Sequence, residues 1–263
     1  MANKHNSDIA IAQHKDQATM VLGDKTGPNS TSLRWDVLRQ ALAGGFNQDY
    51  LTWFDHFLGD TLNGTYTPDL STGATIACAG TLQGGAADFV TDTDDNDHAT
   101  LVLGLHWLVS TGVTEFVCRL TNVTAFTLRA VEIGVSDAVS ETNGLAFSSH
   151  DATPVAVADD AAVFAINSDE SVVTWSLLQV NGGGTPTRQD SAVAPVAGTY
   201  QEFRIVITAA GAVSWFIDGT EVGTAVSSGI ATTALLTPWI TLKSLSGAAK
   251  TIRLDYLGMW GAL

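Results

Sequence analysis

Apolar and polar residues alternate with unusual regularity over residues 199–222. Phe203, Ile205 and Ile207 interleave with Arg204, Val206 and Thr208; beyond a turn at 209–211, Val213, Trp215 and Ile217 interleave with Ser214, Phe216 and Asp218. A period of two places one set of side chains on the buried face of a strand. Asp218-Gly219 then separates Ile217 from Val222. This dipeptide predicts a type I′ hairpin turn, whose two central residues both take positive φ, a conformation Asp tolerates and Gly adopts freely. The segment reads as an antiparallel meander of three strands.

The same pattern, less regular, predicts strands at 53–57, 74–78, 87–91, 100–105, 115–121, 127–135, 144–148, 161–167, 172–179, 200–208, 212–217, 236–245 and 251–259. Short strands at this spacing predict an all-β fold, a two-sheet antiparallel sandwich or jelly roll. The run Asn181-Gly182-Gly183-Gly184 reads as a hairpin tip, and no repeat of 20–50 residues suggests a propeller or solenoid. One helix is expected at 33–43, with Ser32 as N-cap and Gly44-Gly45 as stop. Residues 1–31 are polar, with scattered apolar positions, and predict an extended arm that needs another surface to order it. The chain therefore divides into an anchoring arm plus short helix at 1–45 and a sandwich at 46–263.

Charge sharpens this division. The chain has 263 residues and a net charge of −15. Residues 1–45 hold five basic and four acidic side chains, and residues 46–263 hold seven and 23. An acidic body repels phosphate, so nucleic acid is not an expected partner. The N-terminus has no apolar core of signal-peptide length, and no 18-residue apolar run occurs, so neither a secretory signal nor a membrane partner is expected. Cys78 and Cys118 each fall in a predicted strand, either as two buried thiols or as a disulfide.

Candidate chemistry is sparse. The run Asp92, Asp94, Asp95, Asn96, Asp97 offers oxygen ligands of the kind Ca²⁺ takes, but it lacks the glycine and distant glutamate of an EF-hand loop. A solvated turn is the expectation, with Ca²⁺ as the alternative and no other cofactor. Glu132 and Asp137 are the nearest approach to a glycosidase carboxylate pair. Five positions apart on a regular strand, they face opposite ways. His56 lies in the aromatic run 53–57 and is expected in the core or on an edge strand. The six histidines show no zinc spacing, and neither a nucleophile elbow nor a phosphate-binding loop occurs. No catalytic residue is assigned. Most of the seven tryptophans, Trp215 and Trp239 among them, are expected in the core.

The segment 251–260 resembles the closing strand of concanavalin A-like lectin/glucanase (LamG-like) jelly-roll domains. The passage from Arg204-Ile205-Val206-Ile207 to Trp215-Phe216-Ile217-Asp218-Gly219 resembles their meander. The resemblance covers roughly residues 50–263. Glucanases of that family carry Glu-x-Asp-x-Glu or Glu-x-Asp-x-x-Glu on one strand. Here Glu132-Ile133-Gly134-Val135-Ser136-Asp137 has glycine where the pattern requires Asp, so the resemblance implies no glycosidase activity. A polar arm and helix ahead of such a sandwich is similar in style to virion proteins of tailed bacteriophages. That similarity implies a non-enzymatic capsid decoration or head-surface protein, assembled in the host cytoplasm and located in the virion. Its expected partners are the major capsid protein or another virion protein, and further copies of itself. Ile9, Ile11, Val21, Leu22, Trp35 and Leu38, which lack an obvious core of their own, are the expected contacts. A lectin-like module that binds a glycan in host recognition, with exposed aromatics near 148–153 or 181–187, is the alternative.

Overall fold

In the computed structural model the 199–222 pattern forms its meander. Strands Gln201–Ile207, Val213–Ile217 and Thr220–Val226 pair antiparallel, with Phe203 opposite Ile217, Ile205 opposite Trp215 and Ile207 opposite Val213. Asp218 and Gly219 have φ of 50° and 77°, as the turn requires. The structure describes residues 50–80, 84–123, 126–141, 143–170 and 173–262, together with two short strands near the N-terminus. The chain separates into two units, Met1–Asn47 and Gln48–Leu263. In the first, strands Gln13–His14 and Gln17–Ala18 pair antiparallel; the helix expected at 33–43 lies outside the described residues.

The second unit is a sandwich of two antiparallel eight-stranded sheets. One, here the open sheet, runs in the order Thr220–Val226, Val213–Ile217, Gln201–Ile207, Thr114–Asn122, Thr251–Ala262, Ala87–Val90 and Thr75–Cys78. Tyr50–Asp55 pairs with the far half of Thr251–Ala262. The other, the covered sheet, runs Thr187–Asp190, Ser176–Val180, Ala161–Asn167, Arg129–Ser136, Leu235–Ser244, His98–Val102 and Thr67–Leu70, with Trp107–Leu108 pairing on the Leu235 end. Among the described residues the only helical element is the 3₁₀ turn Val109–Thr111.

The main core fills the space between the sheets. Val131, Ile133 and Val135 of the covered sheet meet Phe203, Ile205, Ile207 and Trp215 of the open one. Phe164 packs edge-on against both Phe203 and Trp215 at 5.2 Å between ring centres. Trp175, Trp215 and Trp239 are fully buried and Trp107 nearly so, as expected, whereas Trp53 and Trp260 are half-buried. Cys78 and Cys118 are free thiols.

A second, smaller core lies on the outer face of the covered sheet. Val163, Ala165, Leu178 and Trp239 point outward there and are roofed by Ala146, Phe147 and Ala158. The roof is the segment 137–160, which contains the hairpin Phe147–Ser149 with Val155–Ala156. Strands buried on both faces lose the clean alternation of a half-exposed strand. All eight residues of Arg129–Ser136 are buried for this reason.

Candidate functional site

Glu132 is the centre of that covered face. On its strand, the inward positions are Val131, Ile133 and Val135, so Glu132 points outward, under the roof. Its carboxylate is wholly inaccessible. One oxygen, Oε2, accepts the Ala146 N–H at 2.7 Å and the Trp239 indole N–H at 2.9 Å. The other, Oε1, accepts the Phe147 N–H at 2.9 Å and faces His150 Nε2 at 2.9 Å. A carboxylate can only accept, so the proton of His150 sits on Nε2. Four donors converging on two oxygens offset the desolvation of the buried charge. The roof is thus pinned to the sheet at three of its residues by one side chain.

Around Glu132 the covered face is polar. Register places Glu132 beside Ala165 and Thr241, and Thr241 beside Thr100. The Thr100 and Thr241 hydroxyls are 2.7 Å apart, and Thr100 Oγ1 donates to the Gly144 carbonyl at 3.2 Å. Gly144, at φ 66°, leaves room for the His98 ring, which a Cβ would strike at 2.2 Å. His98 Nε2 in turn lies 3.8 Å from Asp69. Lys243 is nearly buried, and burial pulls its pKa down while Asp95 and Glu132 push it back up. On the roof, burial pushes Asp137 and Glu141 above the ordinary carboxylate range, and neighbouring carboxylates, Asp160 for the first and Asp137 for the second, push the same way.

This arrangement stabilises a closed face. An acid–base group must reach its substrate, and Glu132 can do so only if the roof leaves. Asp137 lies beyond the end of the strand, so the two carboxylates do not form a pair across an open cleft. Gly134 is required where it stands: a Cβ would lie 2.1 Å from the Ala162 carbonyl oxygen, so no Asp fits at that position. A recess of about 350 Å³ opens elsewhere, lined by Asp55, Phe57, Thr61, Asn63 and Cys78. Burial, with Asp55 and Asp60, raises the Cys78 pKa, which keeps it a thiol rather than a nucleophilic thiolate.

Asp92, Asp94, Asp95 and Asp97 occupy the connection between Ala87–Val90 of the open sheet and His98–Val102 of the covered one. Asp92 accepts the Thr93 N–H at 2.7 Å and Asp94 and Asp95 are exposed, while Asp97 is buried and its carbonyl accepts the Ser244 N–H at 2.7 Å. Among the described residues no three His, Cys, Asp or Glu side chains converge as metal ligands would. Ile9, Ile11, Val21, Leu22, Trp35 and Leu38 lie outside the described residues. His56 is exposed rather than buried, edge-on to Phe54 and Tyr256. The loops 148–153 and 181–187 contain no Phe, Tyr or Trp; among the described residues the exposed side chain of that kind is Phe54, on the open sheet. The partnership of Glu132 with His150 was not legible in sequence, because His150 lies 18 positions further on, beyond the end of the strand and across the roof.

No protein-family model matches the sequence, and no curated protein matches it. Solved structures share its fold. A protein of unknown function from Shewanella oneidensis MR-1 superimposes with a TM-score of 0.62 at 12% identity, over 90% of this chain and 97% of the other. The Emp47p carbohydrate recognition domain gives 0.55 at 9%, over 84% and 100%. An endo-β-1,4-glucuronan lyase from the fungus Trichoderma reesei gives 0.53 at 11%, over 79% and 94%. The neighbours are concanavalin A-like lectin/glucanase-type sandwiches, and at these identities the likeness is one of fold.

Proposed function

We propose that the chain is a non-enzymatic structural protein of a tailed-phage virion, a decoration of the head surface. Residues 1–45 anchor it and the acidic sandwich projects. The observation that carries the non-enzymatic part is the closed face: the one buried carboxylate among the described residues with four donors is saturated and roofed. A sealed sandwich suits display better than turnover. The charge division supports the anchoring part, since a near-neutral arm can lie against a shell while a body with 23 acidic and seven basic residues stays solvated. On a symmetric shell, many weak arms add through multivalency.

Deleting residues 1–31 tests this reading. Binding to native particles is expected to disappear while the melting transition of the sandwich stays in place. Binding that survives the deletion overturns the assignment. Carbohydrate recognition is the second reading, favoured by the fold shared with the Emp47p domain. A signal for the full chain on a glycan array supports it, and a blank array removes it.

A further inference from the structure

The hairpin tip at 181–184 carries chemistry that a display role does not use. Asn181 is followed by glycine, the neighbour that least hinders attack of a backbone nitrogen on an asparagine side chain. Gly182 has a φ of 53°, and a Cβ built on it would meet nothing within 4 Å. Its N–H donates to Asp160 Oδ1 at 3.1 Å. Asp160 is nearly buried, 6% exposed, and the same oxygen accepts the Ala231 N–H at 2.7 Å. A carboxylate is thus fixed within the reach that proton transfer from Gly182 requires. On the other side of the tip, Asn181 Nδ2 donates to the Ser228 carbonyl at 2.9 Å, which sets the plane of the amide.

The chain contains two other asparagine–glycine pairs, Asn63-Gly64 and Asn143-Gly144, and they are built differently. Asn63 Oδ1 accepts the Thr65 N–H at 3.0 Å and the Thr65 hydroxyl at 2.9 Å, so its amide is turned toward Thr65. The Gly144 N–H donates to the Glu141 main-chain carbonyl at 2.7 Å, and the His98 ring fills the space beside Gly144. A carbonyl oxygen is a far weaker base than a carboxylate. Of the three glycines, Gly182 is the one whose N–H a carboxylate accepts among the described residues.

We infer that Asn181 is a self-modification site, deamidated through a succinimide with Asp160 as the base. The Gly182 nitrogen gives its proton to Asp160 Oδ1 and bonds to Asn181 Cγ. The Cγ–Nδ2 bond breaks, and the departing nitrogen takes up the proton and leaves as ammonia. Water then opens the ring at either carbonyl, which leaves aspartate or isoaspartate at position 181. The reaction consumes only water. Its product has a carboxylate where the amide donated to Ser228, so that bond is lost. The new charge falls beside Asp160 and beside Asp159, whose carbonyl accepts the Gly183 N–H at 2.7 Å, and like charges at such a site repel. The tip of the covered sheet thereby lets go of the loop 227–231 that follows Thr220–Val226 of the open sheet.

Peptide mapping by mass spectrometry of the full-length chain, aged at neutral pH, tests the inference. Asn181 is expected to convert at least about tenfold faster than Asn63 and Asn143 in the folded chain. In concentrated urea, where Asp160 no longer meets Gly182, the three pairs should react alike and position 181 more slowly than when folded. Asp160→Asn should slow position 181 by about tenfold or more and leave the other two sites unchanged. Circular dichroism melts report whether that variant is folded; where it is not, the comparison of folded with urea-unfolded parent chain decides. Equal rates at the three sites, a folded rate at 181 no higher than that in urea, or a folded Asp160→Asn chain that ages like the parent overturns the inference. Particle binding has no part in the result, so it stands or falls apart from the anchoring reading.

Discussion

Glu132 illustrates how much one side chain can organise. The Ala146 and Phe147 amides and the Trp239 indole have no water to turn to, so removing their acceptor leaves buried donors unpaired, each at about 1–3 kcal/mol. Glu132→Ala is expected to lower the unfolding free energy by about 3–5 kcal/mol in urea titrations. A loss below about 1 kcal/mol would show that the roof is held by other contacts. Asp137 and Glu141 act in the opposite sense. Their folded-state pKa values are raised by burial, so the folded state binds more protons than the unfolded one just above the ordinary carboxylate range, and stability falls as pH rises through that window. The double variant Asp137→Asn, Glu141→Gln is expected to melt higher than the parent at pH 7. The difference should vanish near pH 4; a constant offset at both pH values would sink the account. The acidity of these residues was plain in the sequence, but their partial burial was not, because it arises where the irregular roof they belong to packs down onto the sheet.

At the scale of elements, strands with one face in the core were read nearly to the residue. The expectation at 200–208 differs from Gln201–Ile207 by one position at each end, and that at 212–217 differs from Val213–Ile217 by one position. Strands were missed where alternation fails for a physical reason: Thr67–Leu70 and Thr187–Asp190 are edge strands with mostly exposed, polar side chains. Within the roof at 137–160 only a strand at 144–148 was expected, offset from the observed Phe147–Ser149, since main-chain amides donating to Glu132 hold this segment as much as a hydrophobic stripe does. The hairpin at Asp218-Gly219 was the clearest local signal, and it offers a clean test. A Cβ on Gly219 meets nothing within 4 Å, so Gly219→Ala is opposed only by its φ of 77°. The variant should lose about 1 kcal/mol in thermal melts, and a neutral result would mean that the turn changes type.

For the whole molecule, a net charge of −15 on 263 residues implies self-repulsion within the folded body. Raising the salt from about 10 mM to about 0.5 M shortens the Debye length from about 30 Å to a few ångströms. The melting temperature of the chain is therefore expected to climb by a few degrees in scanning fluorimetry, and a drop would mean that the arginine–carboxylate pairs of the open sheet, Arg119 with Asp255, Arg204 with Glu115 and Arg253 with Asp88, outweigh the repulsion. The order of strands carries one more consequence. Thr251–Ala262 lies in the middle of the open sheet, hydrogen-bonded to Thr114–Asn122 on one side and to Tyr50–Asp55 and Ala87–Val90 on the other. The piece that joins early chain to middle chain is thus made late. Until Thr251–Ala262 has left the ribosome, the edges of Thr114–Asn122 and Ala87–Val90 lack their native partner, so the open sheet can close only after all its other strands have been made.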